Sequence, residues 1–343
     1  MAIGPSTENP TRPLLDWLLA QYPDTPRTRA KQWIVAGRVR VDGAIIRQPH
    51  LLIPDPRGTL ELLDRRSTAL DCGTDGWQIH PRLALLHLDA ALAVVNKGAG
   101  LVSVPSPDGQ LSALSILTDF LAGKLRARQR GPAGWTLPPA YRRLEPLPVH
   151  RLDQYTSGVF CMALNAAARR RLVEQVKAHT AQREYVAYVE GRPAQATGTW
   201  RNWLQLRADE RVQMVVSSAA AELSDGEAVE AITDFEVIEE FRLTGNAGIV
   251  TKLRLRLQTG RRHQIRIQAA QAGLPLLGDR TYQPRDRTGK PGPPRIEFDR
   301  QALHAELLSL EHPDRPGVRM TWRAPLPADL RRLENELRHG RGR

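Results

Sequence analysis

The chain has 343 residues, 41% hydrophobic and 25% charged, with 26 prolines and 26 glycines. This is more than one typical domain, with the balance of a soluble globular protein rich in loops. A formal net charge of +12 points to a polyanionic partner, because each neutralised phosphate releases condensed counterions, while the lack of any apolar run near spanning length argues against a membrane role.

The two cysteines, Cys72 and Cys161, stand far apart. They lack the paired spacing of a zinc site or a disulfide framework, so no metal is expected and a reducing compartment fits. The amino terminus, with Pro5, Glu8 and Pro10, has neither the basic start and apolar run of a secretory signal nor the arginine richness of a transit peptide. The expected location is the cytoplasm.

In chain order, residues 1–13 read as a disordered tail. Leu14, Leu15, Trp17, Leu18 and Leu19 suit a short helix. After Pro26 a second helix carries Ala30, Trp33 and Ile34 on one side, has Arg27, Arg29 and Lys31 around it, and ends at Gly37. Arg38 to Ile46 then alternates charged and aliphatic residues about Asp42-Gly43, a hairpin signal with its basic side chains on one face. Periodicity fades from Asp64, and 67–82 read as a linker to a domain beginning near Leu83. Gly123 to Pro148 is irregular and holds Lys124, Arg126, Arg128, Arg130, Arg142 and Arg143. Such a run is a solvated loop or an insertion that contacts the polyanionic partner.

Val159 to Leu164 is strand-like, and Asn165 can cap a helix through about Ala178 with Leu172, Val173 and Val176 as its apolar stripe. A strand follows at Tyr185. In Val250 to Leu257 the aliphatic residues alternate with cations, so Leu253, Leu255 and Leu257 should face a core while Lys252, Arg254 and Arg256 face out. That strand leads to the Thr259-Gly260 loop and a helix ending near Gly273. Leu330, Leu333 and Leu337 suggest a last short helix before the basic end, Arg338 to Arg343.

The segment His150-Arg151-Leu152-Asp153-Gln154-Tyr155-Thr156-Ser157-Gly158 sets a carboxylate beside a guanidinium. Most Arg-x-Asp triplets are turns or surface ion pairs, so by itself Asp153 is only a candidate nucleophile or electrostatic catalyst. This segment resembles the HRLD-x-x-TSG motif of the RluA family of pseudouridine synthases. Leu92 to Leu101 is similar to that family's early strand and NKPAGL turn, with Gly98 where proline is usual. Arg183 to Gly191 is similar to its K-x-Y-x-A-x-V-x-G strand, Thr259 to Arg266 to TGR-x-HQIR, and Leu303-His304-Ala305 to its late LHA. These five motifs follow the family's order over about residues 83 to 325. The two helices and hairpin over about 13–63 resemble the S4 RNA-binding module.

The resemblance implies an α+β protein: an S4-like module at 14–66, a synthase domain at 83–326 with a mixed, mainly antiparallel sheet, and a carboxy-terminal helix and basic tail at 327–343. It implies isomerisation of uridine to pseudouridine in RNA, large-subunit ribosomal RNA before tRNA, with no cofactor and no protein partner. Asp153 would be the catalytic carboxylate, Tyr185 the tyrosine against the target base, and Arg266 the basic partner of Asp153. Arg151 would enter the space left by a flipped base, with His150 beside it. Arg27, Arg29, Lys31, Arg38 and Arg40 are the phosphate-contact candidates. The rival readings are an RNA-binding protein with an inactive synthase domain and a base hydrolase using the same carboxylate.

Overall fold

The computed structural model describes residues 11–35, 38–42, 44–46, 48–56, 60–62, 70–71, 76–106, 109–125, 137, 139–206, 213–216, 228–243, 248–283 and 296–339. The expectations for the tail before 11, for Gly37, Gly43, Cys72, Arg126, Arg128 and Arg130, and for the basic end after 339 lie outside the described residues. The chain divides into two compact units, one of residues 1–70 and 136–142, the other of 71–135 and 143–343.

In the smaller unit, helices α1 (Leu14–Gln21) and α2 (Arg27–Val35) precede strands β1 (Val39–Val41) and β2 (Ala44–Ile46), and β3 (Glu61–Leu62) pairs with β1. Asp42 turns the hairpin at a φ of 48°, the left-handed conformation that an Asp-Gly turn uses. Leu14, Leu15 and Leu18 meet Ala30, Ile34, Val39 and Val41 in one core. The basic residues are left outside it.

The larger unit contains strands β4 (Trp77–His80), β5 (Leu83–Leu88) and β6 (Leu92–Lys97), helix α3 (Ala113–Leu121), strand β7 (Ser157–Ala163) and helix α4 (Ala166–Lys177). Strands β8 (Gln182–Glu190), β9 (Thr197–Leu206), β10 (Gln213–Val216), β11 (Val229–Arg242) and β12 (Ile249–Leu257) follow. The unit closes with helix α5 (Gln264–Gln271), strands β13 (Leu303–Glu311) and β14 (Arg319–Arg323), and helix α6 (Ala328–Arg338). The main sheet runs β10-β9-β11-β12-β8-β13-β7-β6-β5, with β14 beside β13 and β4 beside β5. The β7–β13 pair is parallel, with Ser157 opposite His304 and Gly158 opposite Ala305, while the pairs flanking it are antiparallel.

This parallel junction explains one motif residue. Gly158 has a φ of 120°, and a Cβ there would run into the carbonyl oxygen of Ala305. Only glycine lets the two strands approach. His304 beside it is a structural residue: its Nε2 donates to the Ala324 carbonyl at 3.0 Å, so Nδ1 accepts from the Ser157 hydroxyl at 2.9 Å. Burial holds its imidazole neutral, with a pKa pushed down to about 4.

Two expected boundaries shift. Residues 77–80, expected within a linker, form β4 and pair with β5 through His80 and Leu83. The tight reversal at Pro81-Arg82 hid a hairpin behind polar residues. At the other end α6, set apart at 327–343 from the expected synthase domain, packs Leu330, Leu333 and Leu337 against Tyr188 and Phe241, and Glu334 accepts hydrogen bonds from Tyr188 at 2.6 Å and Lys252 at 3.0 Å. On β12, Leu253 and Leu255 are fully buried. The outward cations Lys252, Arg254 and Arg256 meet Glu334, Glu236 and Glu184. Helix α3, which the sequence reading passed over, is capped reciprocally by Ser112 and Ser115.

Far from the motifs, Asp89 ties the β5–β6 turn to the loop between β13 and β14. It accepts from His312 at 2.7 Å, His87 at 3.0 Å, Arg315 at 3.2 Å and the backbone N–H of Ala91 and Leu92. Burial alone would raise its carboxyl, but these donors outweigh it and hold Asp89 well below the usual carboxylate range. A folded pKa depressed below the reference 3.8 adds stability above about pH 4 that is lost as pH falls further. Asp89→Asn should therefore lower stability at pH 7 by about 2–4 kcal/mol and flatten its decline below pH 4 in denaturant titrations. An unchanged acid limb would show that Asp89 contributes nothing.

Among the described residues no helix is long and apolar enough to cross a membrane.

Candidate active site

The loop before β7 has its carbonyls held one by one. Leu152 O accepts from Ser103 Oγ at 2.8 Å, Asp153 O from Thr156 N at 3.1 Å, Gln154 O from Lys97 Nζ at 3.0 Å and Gly100 N at 2.9 Å, and Tyr155 O from Arg300 Nη1 at 3.1 Å. Such complete pairing gives a short loop one conformation. Lys97, wholly buried, also donates to Gly98 O and Leu101 O. Its burial lowers its pKa to about 7, against the pull of Asp153.

The loop presents Asp153 to a cavity of about 220 Å³, lined by His150, Arg151, Arg183, Tyr185, Arg261, Arg262, His263, Gln264 and Arg266 among others. Five arginines share it with one carboxylate. That balance suits an anionic substrate.

Arg266 comes from the first turn of α5. Its Nη1 lies 3.3 Å from Asp153 Oδ2, so the two motifs, 113 residues apart, meet in space. The two-pronged grip of its guanidinium goes to another partner: Nε and Nη2 hold Asp279 at 2.6 and 3.0 Å, and Nη2 also donates to Thr281. Burial opposes both charges. The bonds between Arg266 and Asp279 outweigh it, pushing the guanidinium above its ordinary value and, with the Thr281 and Tyr282 N–H groups, the Asp279 carboxyl below its own. Asp279 thus fixes Arg266, which presents one remaining edge to Asp153.

Helix α5 is seated by side-chain amides. Gln264 Nε2 donates to Ile232 O and Thr233 Oγ1, and Gln268 Nε2 to Trp200 O, Asn202 Oδ1 and Ala231 O. His263 begins the helix with a left-handed φ of 55°. Its Nε2 lies 3.9 Å from Asp153, and its Nδ1 is 2.9 Å from the Tyr282 hydroxyl.

Tyr185 is buried on β8 and lines the same cavity; burial raises its pKa, keeping the phenol protonated at neutral pH. Arg151 is exposed at the rim. His150 also lines the cavity, but its Nε2 accepts from the Cys161 N–H at 3.2 Å, and burial, then Arg183, lowers its pKa to about 3. Neutral and engaged, it braces the loop against β7.

Two family models match the chain: RNA pseudouridylate synthase over residues 91–271 and the S4 domain over 12–54. The chain belongs to the RNA pseudouridylate synthase family. This synthase is 33% identical over 338 residues to ribosomal large subunit pseudouridine synthase D of Yersinia pestis, covering 94% of this chain and 90% of that one. It is 32% identical over 351 residues to the protein of the same name from Salmonella typhimurium, covering 97% and 93%. A solved structure of human RNA pseudouridylate synthase domain containing 4 shares the fold at a TM-score of 0.53 and 22% identity, over 74% of this chain and 92% of that one. The synthase is an α+β enzyme that isomerises uridine in RNA, with an S4 domain ahead of its catalytic unit.

The motifs of the synthase pointed to Asp153, Tyr185 and Arg266, and the fold brings all three to one cavity. Asp279 and Arg300 lie in none of the five motifs, and Lys97 and His263 lie within two of them without a pattern that marks their role. Only the carbonyls and carboxylates they meet reveal them.

Proposed function

We propose that this synthase modifies uridines of large-subunit ribosomal RNA in the cytoplasm, with Asp153 as its catalytic carboxylate. The observation that carries the site reading is the convergence of Asp153, Arg266 and Tyr185 in one arginine-lined cavity. The names of the relatives above support the choice of RNA.

The reaction breaks the bond between N1 and C1′, turns the base and rejoins it through C5. A uridine must first leave its stack, which costs a few kcal/mol. Arg151 at the rim can fill the space it leaves, where a planar cation stacks and hydrogen-bonds. Asp153 then meets the sugar, held by Arg266, with Tyr185 against the base. The test is a map of pseudouridines in cellular RNA with and without this protein. Loss confined to large-subunit ribosomal RNA supports the assignment; loss confined to tRNA overturns it.

In the S4 unit the five proposed phosphate contacts separate by pairing. Arg27 meets Asp16 at 3.1 Å and Arg40 meets Glu61 at 3.3 Å. Arg29 and Arg38 flank Trp33, 5.8 and 5.2 Å from its ring centre, and Arg29 and Lys31 are exposed. Arg29 and Lys31 are therefore the strongest of the five candidates. Converting both to alanine should weaken RNA binding and reduce the slope of log affinity against log salt by about 1.5. An unchanged slope would place RNA elsewhere.

A further inference from the structure

The arginines of the cavity differ in what they hold. Arg151, Arg261 and Arg262 are exposed at its edge, open to an RNA strand outside it. Arg266 is taken by Asp279 and Asp153. Arg183 is different. It is 5% exposed, its Nη2 donates to the Thr259 carbonyl at 3.3 Å, and its Nε is buried with no acceptor. Among the described residues no carboxylate contacts it. Burial is the first influence on its guanidinium and works against the charge. A buried cation without an anion is costly to keep, and such groups collect where function needs them.

Its position indicates the function. Arg183 stands two residues before Tyr185 on β8, and both line the cavity that holds Asp153. This depth suits a base turned out of its helix, whereas phosphates stay at the rim. When the N1–C1′ bond breaks, its electron pair remains on N1 and the uracil ring becomes an anion, with charge spread onto O2 and O4. The C5–C1′ bond then forms from the ring's electrons, C5 gives up its proton and N1 takes one, so the isomer balances without any co-reactant. A preorganised cation at the ring lowers the barrier where the charge develops.

We propose that Arg183 is a catalytic residue that receives the negative charge of the departing uracil ring. The assignment rests on the reading of Asp153 as the catalytic carboxylate. Its planar fork can face two adjacent ring heteroatoms together, which a lysine cannot.

The test compares single-turnover rates on large-subunit ribosomal RNA transcripts made with uridine or with 5-fluorouridine, read by mass spectrometry as loss of the N-linked nucleoside. Fluorine stabilises the base anion and replaces part of what the cation supplies. Arg183→Gln should lose about 10²–10³-fold in kcat on uridine with KM little changed, and tenfold or less on 5-fluorouridine. Arg183→Lys should fall between. Gly260→Ala, whose added Cβ would lie 2.5 Å from Arg183 Nη1, should displace the fork and lower kcat with the charge retained. The melting temperature of Arg183→Gln should stay level or rise, since an unpaired buried charge is removed; a fall would make Arg183 a structural residue and overturn the proposal. Equal losses on the two RNAs, beside an inactive Asp153→Asn, would also overturn it alone. An active Asp153→Asn would instead remove the reading of the site on which it stands.

Discussion

Asp153→Asn is expected to lower the isomerisation rate by at least about 10⁴-fold while leaving RNA affinity within about twofold of wild type. The substitution removes the reactive charge at nearly constant volume. The loop's shape does not depend on that side chain, because Ser103, Lys97 and Arg300 bind the backbone carbonyls on either side of it. The arginines of the cavity stay in place, so phosphate attraction persists. Single-turnover assays beside binding isotherms separate the two effects. Turnover within tenfold of wild type would remove Asp153 from the chemistry.

Arg266→Ala should be the most damaging change that leaves the carboxylate itself intact. It withdraws the cation 3.3 Å from Asp153, and it strands Asp279, which is 2% exposed and would keep only the N–H groups of Thr281 and Tyr282. We expect a loss of about 3–5 kcal/mol in stability, the usual result of removing one member of a buried pair, and about 10²–10³-fold in kcat from the freed carboxylate. Arg266→Lys keeps a charge but cannot grip both oxygens of Asp279 and reach Asp153 together, so it should recover only part of each loss. Asp279→Asn separates the two roles, since Arg266 and Asp153 both remain while the fork is weakened. It should lower kcat by about tenfold with RNA affinity unchanged. Full activity in Asp279→Asn would mean that packing alone orients Arg266.

Local patterns settled much of this protein. The Leu14, Leu15 and Leu18 stripe, the Asp42 turn, the Asn165 cap, which accepts from Ala168 N at 2.8 Å, and the alternation of Leu253 and Leu255 with cations each act within a few residues. They are legible because helix and strand periods are set by neighbours along the chain. The motifs carried further, to Asp153, Tyr185 and Arg266, because chemistry constrains their residue types at short spacing.

What tertiary structure decided is how those residues are held. The hairpin of β4 with β5 hid in a polar stretch, and α6 proved to be core because Tyr188 and Phe241 lie beneath it. The fork of Arg266 went to Asp279, where a sequence reading would place it on Asp153. Arg183 acquired its meaning only from burial without an anion. Each outcome depends on which groups lose water and which partner then reaches them, and no local period encodes that. Charge pairing in a folded interior is set by desolvation and distance, and both exist only after strands far apart in sequence have come together.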